Sequence, residues 1–99
     1  MKIYYDTEFL EDGRTIDLIS IGMCTEDGRS YYAVSTDLPL RRIRRHEWLM
    51  QNVVPGLPQV SGDARNRHAA GDALDLLDWG SPDIKRTRFI RDEVRRFIA

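Results

Sequence analysis

Three consecutive residues near the start of the chain, Asp6-Thr7-Glu8, have the composition and spacing to do chemistry. They follow Ile3-Tyr4-Tyr5, a run of good strand formers. In a strand successive side chains alternate between faces, so residues 6 and 8 point one way and Thr7 the other. Two carboxylates then leave the same face side by side. Such crowding of like charge is costly unless a cation neutralises it. Hard oxygen ligands of this kind suit Mg²⁺ or Mn²⁺. A pair of such ions roughly 4 Å apart activates a water and stabilises the leaving oxygen when a phosphodiester is cleaved. The same residues have a plainer reading, a solvated strand end beside the acidic turn at Glu11-Asp12.

The elements that must position this pair can be read from the pattern around it. Residues 2–6 form the first expected strand, and Leu10 to Arg14 is expected as a turn punctuated by Asp12-Gly13. Residues 15–24 (TIDLISIGMC) carry apolar groups on both faces, as in a central, covered strand. Asp27-Gly28 is a hairpin signal, which makes Arg29 to Ser35 a third strand antiparallel to the second. Asp37 is expected to cap a helix with Pro39 in its first turn, apolar along Leu40, Ile43 and Met50 and ended by Pro55 and Pro58. A short helix is expected at Ala69 to Leu77. Thr87 is expected to cap a last helix whose stripe is Phe89, Ile90, Val94, Phe97 and Ile98, with Arg88, Arg91, Arg95 and Arg96 outside it. Three antiparallel strands followed by helices indicate an α/β domain.

Composition narrows the function classes. The chain has 99 residues, 41% hydrophobic and 31% charged, which argues against global disorder. A single cysteine, Cys24, excludes an internal disulfide and a cysteine-based metal cluster, and fits a reducing cytoplasm. No segment has the length of a signal peptide core or a membrane span, so the expectation is a cytoplasmic protein with no membrane partner. Net charge is −1, but its distribution is uneven. Residues 1–36 hold seven acids and three bases, whereas residues 37–99 hold nine acids and twelve bases. Arg41, Arg42, Arg44 and Arg45 crowd one stretch, and Lys85, Arg86, Arg88, Arg91, Arg95 and Arg96 another. An acidic start beside basic clusters suits a cation site next to a surface that meets phosphates. Solvated helix faces are the alternative reading of both clusters.

Tyr4-Tyr5-Asp6-Thr7-Glu8-Phe9, then Glu11-Asp12-Gly13, Ile16-Asp17-Leu18-Ile19-Ser20-Ile21-Gly22, Asp27-Gly28 and Tyr31-Tyr32-Ala33-Val34-Ser35 together resemble the small bacterial 3′-5′ exoribonucleases of the mycobacterial type. These belong to the DEDD exonuclease superfamily and have the ribonuclease H-like fold. The resemblance runs over about residues 1–36 and returns at Ser81-Pro82 and along Arg86 to Ile98. It implies two Mg²⁺ or Mn²⁺ ions, with Asp6 bridging both and Glu8 holding the first. It implies a single-stranded RNA 3′ end as substrate, with Phe9 and Leu10 where related enzymes position the terminal nucleotide. Relatives form dimers, so a homodimer is a further expectation.

The superfamily also uses two later aspartates and a histidine. Residues 1–99 are therefore expected to be the N-terminal portion of one exonuclease domain, inactive alone, with an exposed sheet edge and uncovered apolar helix faces. His68-Ala69-Ala70-Gly71-Asp72-Ala73 echoes the family's late histidine–aspartate segment, but its spacing is one residue short and it precedes the last helix. His46 reads as a surface residue, and Trp48 and Trp79 as packing groups. The alternative function is a non-catalytic module that binds nucleic acid or a protein through the arginine clusters. A haloacid dehalogenase-type phosphotransferase is disfavoured, because Glu8 stands in place of a second aspartate.

Overall fold

The computed structural model describes residues 2–11, 13–60 and 73–99. The chain divides into two compact units, one of residues 1–38 and 82–99 and one of residues 39–81. The His68/Asp72 segment and residues 69–72 of the helix expected at 69–77 lie outside the described residues. The described part of that stretch, residues 73–77, is a turn ending in a bridge residue rather than a helix.

The first unit is a four-stranded sheet with one helix. β1 (Ile3–Glu11), β2 (Ile16–Thr25) and β3 (Ser30–Ser35) are antiparallel neighbours, and β4 (Ile84–Lys85) joins β3 in parallel, giving the order β1-β2-β3-β4. α3 (Thr87–Ile98) follows β4 directly. The three expected antiparallel strands are present. β1 is longer than expected, because residues 7–11 continue the ladder instead of turning at Leu10. Gly13 (φ 86°) and Gly28 (φ 90°) supply the left-handed positions of the two hairpin turns. At the second turn the Thr25 amide donates to the Arg29 carbonyl (2.9 Å) and the Thr25 hydroxyl donates to the Asp27 carboxylate. That hydroxyl bond, foremost, holds the Asp27 carboxyl below its ordinary value, with the Arg29 guanidinium adding to it.

The fourth strand was not expected. At two residues it is too short to show any periodicity, and it exists because the Val34 amide donates to Asp83 and the Thr36 amide to Lys85, both at 2.8 Å. α3 keeps part of its expected stripe. Ile90 is buried and Val94 and Phe97 are half-buried, but Phe89 (62%) and Ile98 (56%) stand in solvent. Thr87 is the first helical residue, not the cap. Its hydroxyl bonds Ser35 Oγ (2.7 Å), and its amide donates to Asp37 Oδ2 (3.3 Å). Asp37 therefore satisfies the start of the last helix, not of a helix beginning beside it.

The second unit is built from short pieces. The single helix expected after Asp37 is two: α1 (Leu40–Arg44) and α2 (Glu47–Asn52), followed by a 3₁₀ turn at Val54–Gly56. His46 breaks it. Its backbone is extended (φ −96°, ψ 95°) and its Nδ1 accepts from the Leu49 amide at 3.3 Å, so it caps α2. Gln59 pairs with Leu77 and donates from Nε2 to the carbonyls of Val54 and Ala73, both at 3.1 Å. Ile43, Leu49, Val53, Val54, Leu57, Leu74, Leu76 and Leu77 are its buried apolar residues among those described. Trp48 (56% exposed) and Trp79 (48%) do not pack as expected. Among the described residues, no helix is long and apolar enough to cross a membrane.

Candidate metal-binding site

β1 positions Asp6 and Glu8 through its pairing with β2. Asp6 stands opposite Gly22 and Glu8 opposite Ser20, with Thr7↔Ile21 between them. Thr7 lines a cleft of about 290 Å³ with Ile3, Ile21, Met23, Val94 and Ile98, which fixes its face as the one α3 covers. By alternation, residues 6 and 8 share the opposite face. Asp6 is exposed and Glu8 half-buried. Among the described residues, neither carboxylate takes part in an ion pair with a base.

A register shift lies immediately after the pair, between Glu8 and Phe9. Glu8 faces Ser20 and Phe9 faces Leu18, so Ile19 is the extra residue of a bulge on β2. Bulges bend a strand and re-aim the side chains beside them. Here the bulge sets the two carboxylates apart from Phe9 and Leu10. Phe9 is 45% exposed, whereas Leu10 is only 4% exposed. The Leu10 side chain is core, so only its backbone is available for a ligand.

The surroundings of Asp6 were not expected from the sequence. Gly22 pairs with both Asp6 and Tyr32, which sets these three in one row across the sheet. A Cβ on Gly22 would lie 3.8 Å from the Tyr32 ring. A groove of about 340 Å³ runs past Asp6 and Gly22, lined also by Tyr4, Tyr5, Met23, Cys24 and Tyr31. Burial, foremost, raises the Tyr32 phenol above its ordinary value, and the Asp83 carboxylate adds to this, so the hydroxyl keeps its proton at neutral pH. A glycine inside a strand is the signal that could have pointed here, since it marks close approach by another group.

The sequence of this chain was compared with known proteins. No protein-family model matches it. Two curated 3′-5′ exoribonucleases, from two strains of Mycobacterium tuberculosis, are each 55% identical to it over 58 residues. Over that stretch the chain is similar to mycobacterial 3′-5′ exoribonucleases. The match covers 59% of this chain but 33% of each relative, so the chain spans about a third of the length of the curated proteins it matches.

The donor chemistry of the Asp6/Glu8 pair fits a divalent cation that prefers oxygen. Among the described residues, no group of three or more acidic, histidine or cysteine side chains converges on one point. That number still suits Mg²⁺, which is commonly held by one or two carboxylates and completes its shell with water and substrate phosphate.

Proposed function

We infer that this chain is the opening portion of a two-metal 3′-5′ exoribonuclease domain of ribonuclease H-like type. Asp6 and Glu8 are its first metal ligands and single-stranded RNA is its substrate. One observation carries the reading: two carboxylates uncommitted to any base, two positions apart on one sheet face, within a chain 55% identical over 58 residues to exoribonucleases. Its four-stranded mixed sheet and three helices are compatible with that fold.

In this reading Asp6 lies central to the site and Glu8 two rows further along the strand. Bound Mg²⁺ or Mn²⁺ would supply charge stabilisation to the phosphodiester being cleaved. The chain's own contribution is orientation. The β1–β2 ladder fixes the spacing of the two carboxylates, and the exposed Phe9 ring just beyond Glu8 is available for a base to rest on. Gly22 keeps the floor of the groove clear beside Asp6. The two acids are fewer than the four the superfamily uses, so the 99 residues alone are expected to hold the cation weakly and to cleave RNA slowly or not at all.

Mn²⁺ titration followed by NMR tests the site directly. Paramagnetic broadening should begin at the amides of Asp6, Glu8, Ser20 and Gly22, and should disappear in Asp6→Ala. Broadening centred elsewhere, or unchanged in Asp6→Ala, would remove the assignment. In any longer form that cleaves labelled single-stranded RNA, Asp6→Ala should lower the rate by about 10²–10³-fold, the scale of losing one preorganised electrostatic group.

A further inference from the structure

The second unit carries a feature that the metal site does not use. Arg41, Arg44 and Arg45 line a surface cleft of about 370 Å³ with Leu40. The three guanidinium groups share one side of α1 because they lie three and four residues apart. Arg44 is anchored, its Nη2 bonded to Asp75 Oδ1 at 2.9 Å. Arg41 and Arg45 are exposed. Arg41 and Arg45 add two like charges to a concavity where Asp75 offsets that of Arg44, and such charges favour an anion between them. Guanidinium forks match phosphate oxygens bidentately. Trp48 follows three residues beyond Arg45, on the helix that His46 caps, with 56% of its surface in solvent. Its indole is not used as core, although tryptophan loses much by being left in water. Cationic grooves beside exposed aromatic rings are how proteins hold single-stranded nucleic acid: the charges track the backbone and the ring stacks on a base.

We propose that the Arg41–Arg44–Arg45 cleft and Trp48 form a binding site for single-stranded RNA, in which the arginines contact backbone phosphates and the indole stacks on a base. The choice of RNA over another polyanion rests on the exoribonuclease reading above; the anion chemistry of the cleft does not. Arg44, held by Asp75, is the fixed point, and Arg41 and Arg45 adjust around it. Binding here needs no metal ion.

The test is fluorescence anisotropy of a labelled RNA dodecamer with the 99-residue protein in EDTA, across a salt series, with inorganic polyphosphate as competitor. Arg41→Glu with Arg45→Glu should weaken RNA binding at least tenfold. The milder pair Arg41→Gln with Arg45→Gln should reduce the slope of log affinity against log salt by about 1.4, roughly 0.7 for each phosphate no longer neutralised on a single strand. Trp48→Ala should weaken RNA binding about fivefold or more and leave polyphosphate binding unchanged, consistent with base stacking of about 1–3 kcal/mol. Unaltered RNA affinity in both arginine pairs overturns the proposal, as does a Trp48→Ala protein that binds RNA like the parent. Because EDTA removes the metal, failure here leaves the Mn²⁺ broadening experiment untouched, and failure of that experiment leaves this one standing.

Discussion

The two faces of the sheet in the first unit are put to different uses. On one, α3 lies over β3 with Ile90 at 2% exposure above a sheet face that includes Ala33 at 0%. Its margin is closed by a polar clasp. Tyr31 donates to Glu93 Oε1 (2.9 Å), and Lys85 Nζ donates to the same oxygen (2.8 Å). The Phe97 ring stands 6.1 Å from Tyr31, with the Arg29 guanidinium 5.0 Å from the centre of the Phe97 ring. On the other face, Asp6 and Gly22 border an open groove, and the carboxylates at 6 and 8 have no ion-pair partner among the described residues. The first face is built like a core, with apolar area removed from water and polar groups paired. The second is buried at Leu10, Ser20 and Val34, but at Asp6 it keeps a carboxylate unpaired at the surface, which adds little to stability and keeps it ready for a ligand. Substitutions on the two faces should therefore separate stability from function.

The sharpest contrast comes from the covered face. Ile90→Ala should destabilise the protein by about 3 kcal/mol, from lost transfer energy plus the cavity left under α3. Against the total stability of a small domain this is a large fraction, and the thermal midpoint should fall by well over ten degrees. Chemical denaturation followed by far-UV circular dichroism measures it. A loss below about 1 kcal/mol would mean that α3 is not a core element, and the contrast between the faces would fail.

The clasp predicts a smaller effect with a distinctive pH signature. The hydrogen bond from Lys85, foremost, and the one from Tyr31 hold the Glu93 carboxyl below its ordinary value of 4.5. A group depressed on folding contributes stability that is fully present above its unfolded pKa and is lost as pH falls through the folded value. Glu93→Gln should cost about 1 kcal/mol at pH 7, the scale of a partly exposed charge-assisted bond. The difference from the parent should shrink on acidification below about pH 4.5. Parallel unfolding curves at pH 7 and in mild acid test this. A deficit that stayed constant with pH would show that the carboxylate's charge is not what closes the clasp.

The sequence revealed more of the sheet than of the unit that interrupts it. β2 and the hairpin to β3 were legible because their signals are local: an apolar run, then Asp27-Gly28, then strand formers. The end of β1 was not, since Asp12-Gly13 drew the expected turn back to Leu10, although the ladder to β2 runs through Glu11. β4 depends on hydrogen bonds to Val34 and Thr36, some fifty residues away in the chain, and two residues hold no periodicity of their own. The single helix expected beyond Asp37 failed for a different reason. Leu40, Ile43, Glu47 and Met50 keep helical spacing across the break, while the His46 imidazole competes for the Leu49 amide and ends one helix to cap another. At the candidate site, the Asp-x-Glu spacing was visible in the linear chain. The row that joins Asp6 to Gly22 and Tyr32 was not, because it exists only once β1, β2 and β3 are in register.

The smallest expected effect completes the contrast between the faces. Asp6→Asn removes one of two like charges from the open face and breaks no ion pair there. Its stability should match the parent's within about 0.5 kcal/mol, as for surface substitutions that lose no named interaction. Any shift should be upward, because the repulsion between positions 6 and 8 is relieved. Residues retained for a ligand commonly carry such a cost in stability. Added Mn²⁺ should raise the thermal midpoint of the parent by mass action and leave that of Asp6→Asn nearly unmoved. A loss of more than about 1 kcal/mol in the metal-free variant would show that Asp6 supports the fold, and the open face would then have to be read as a second structural surface.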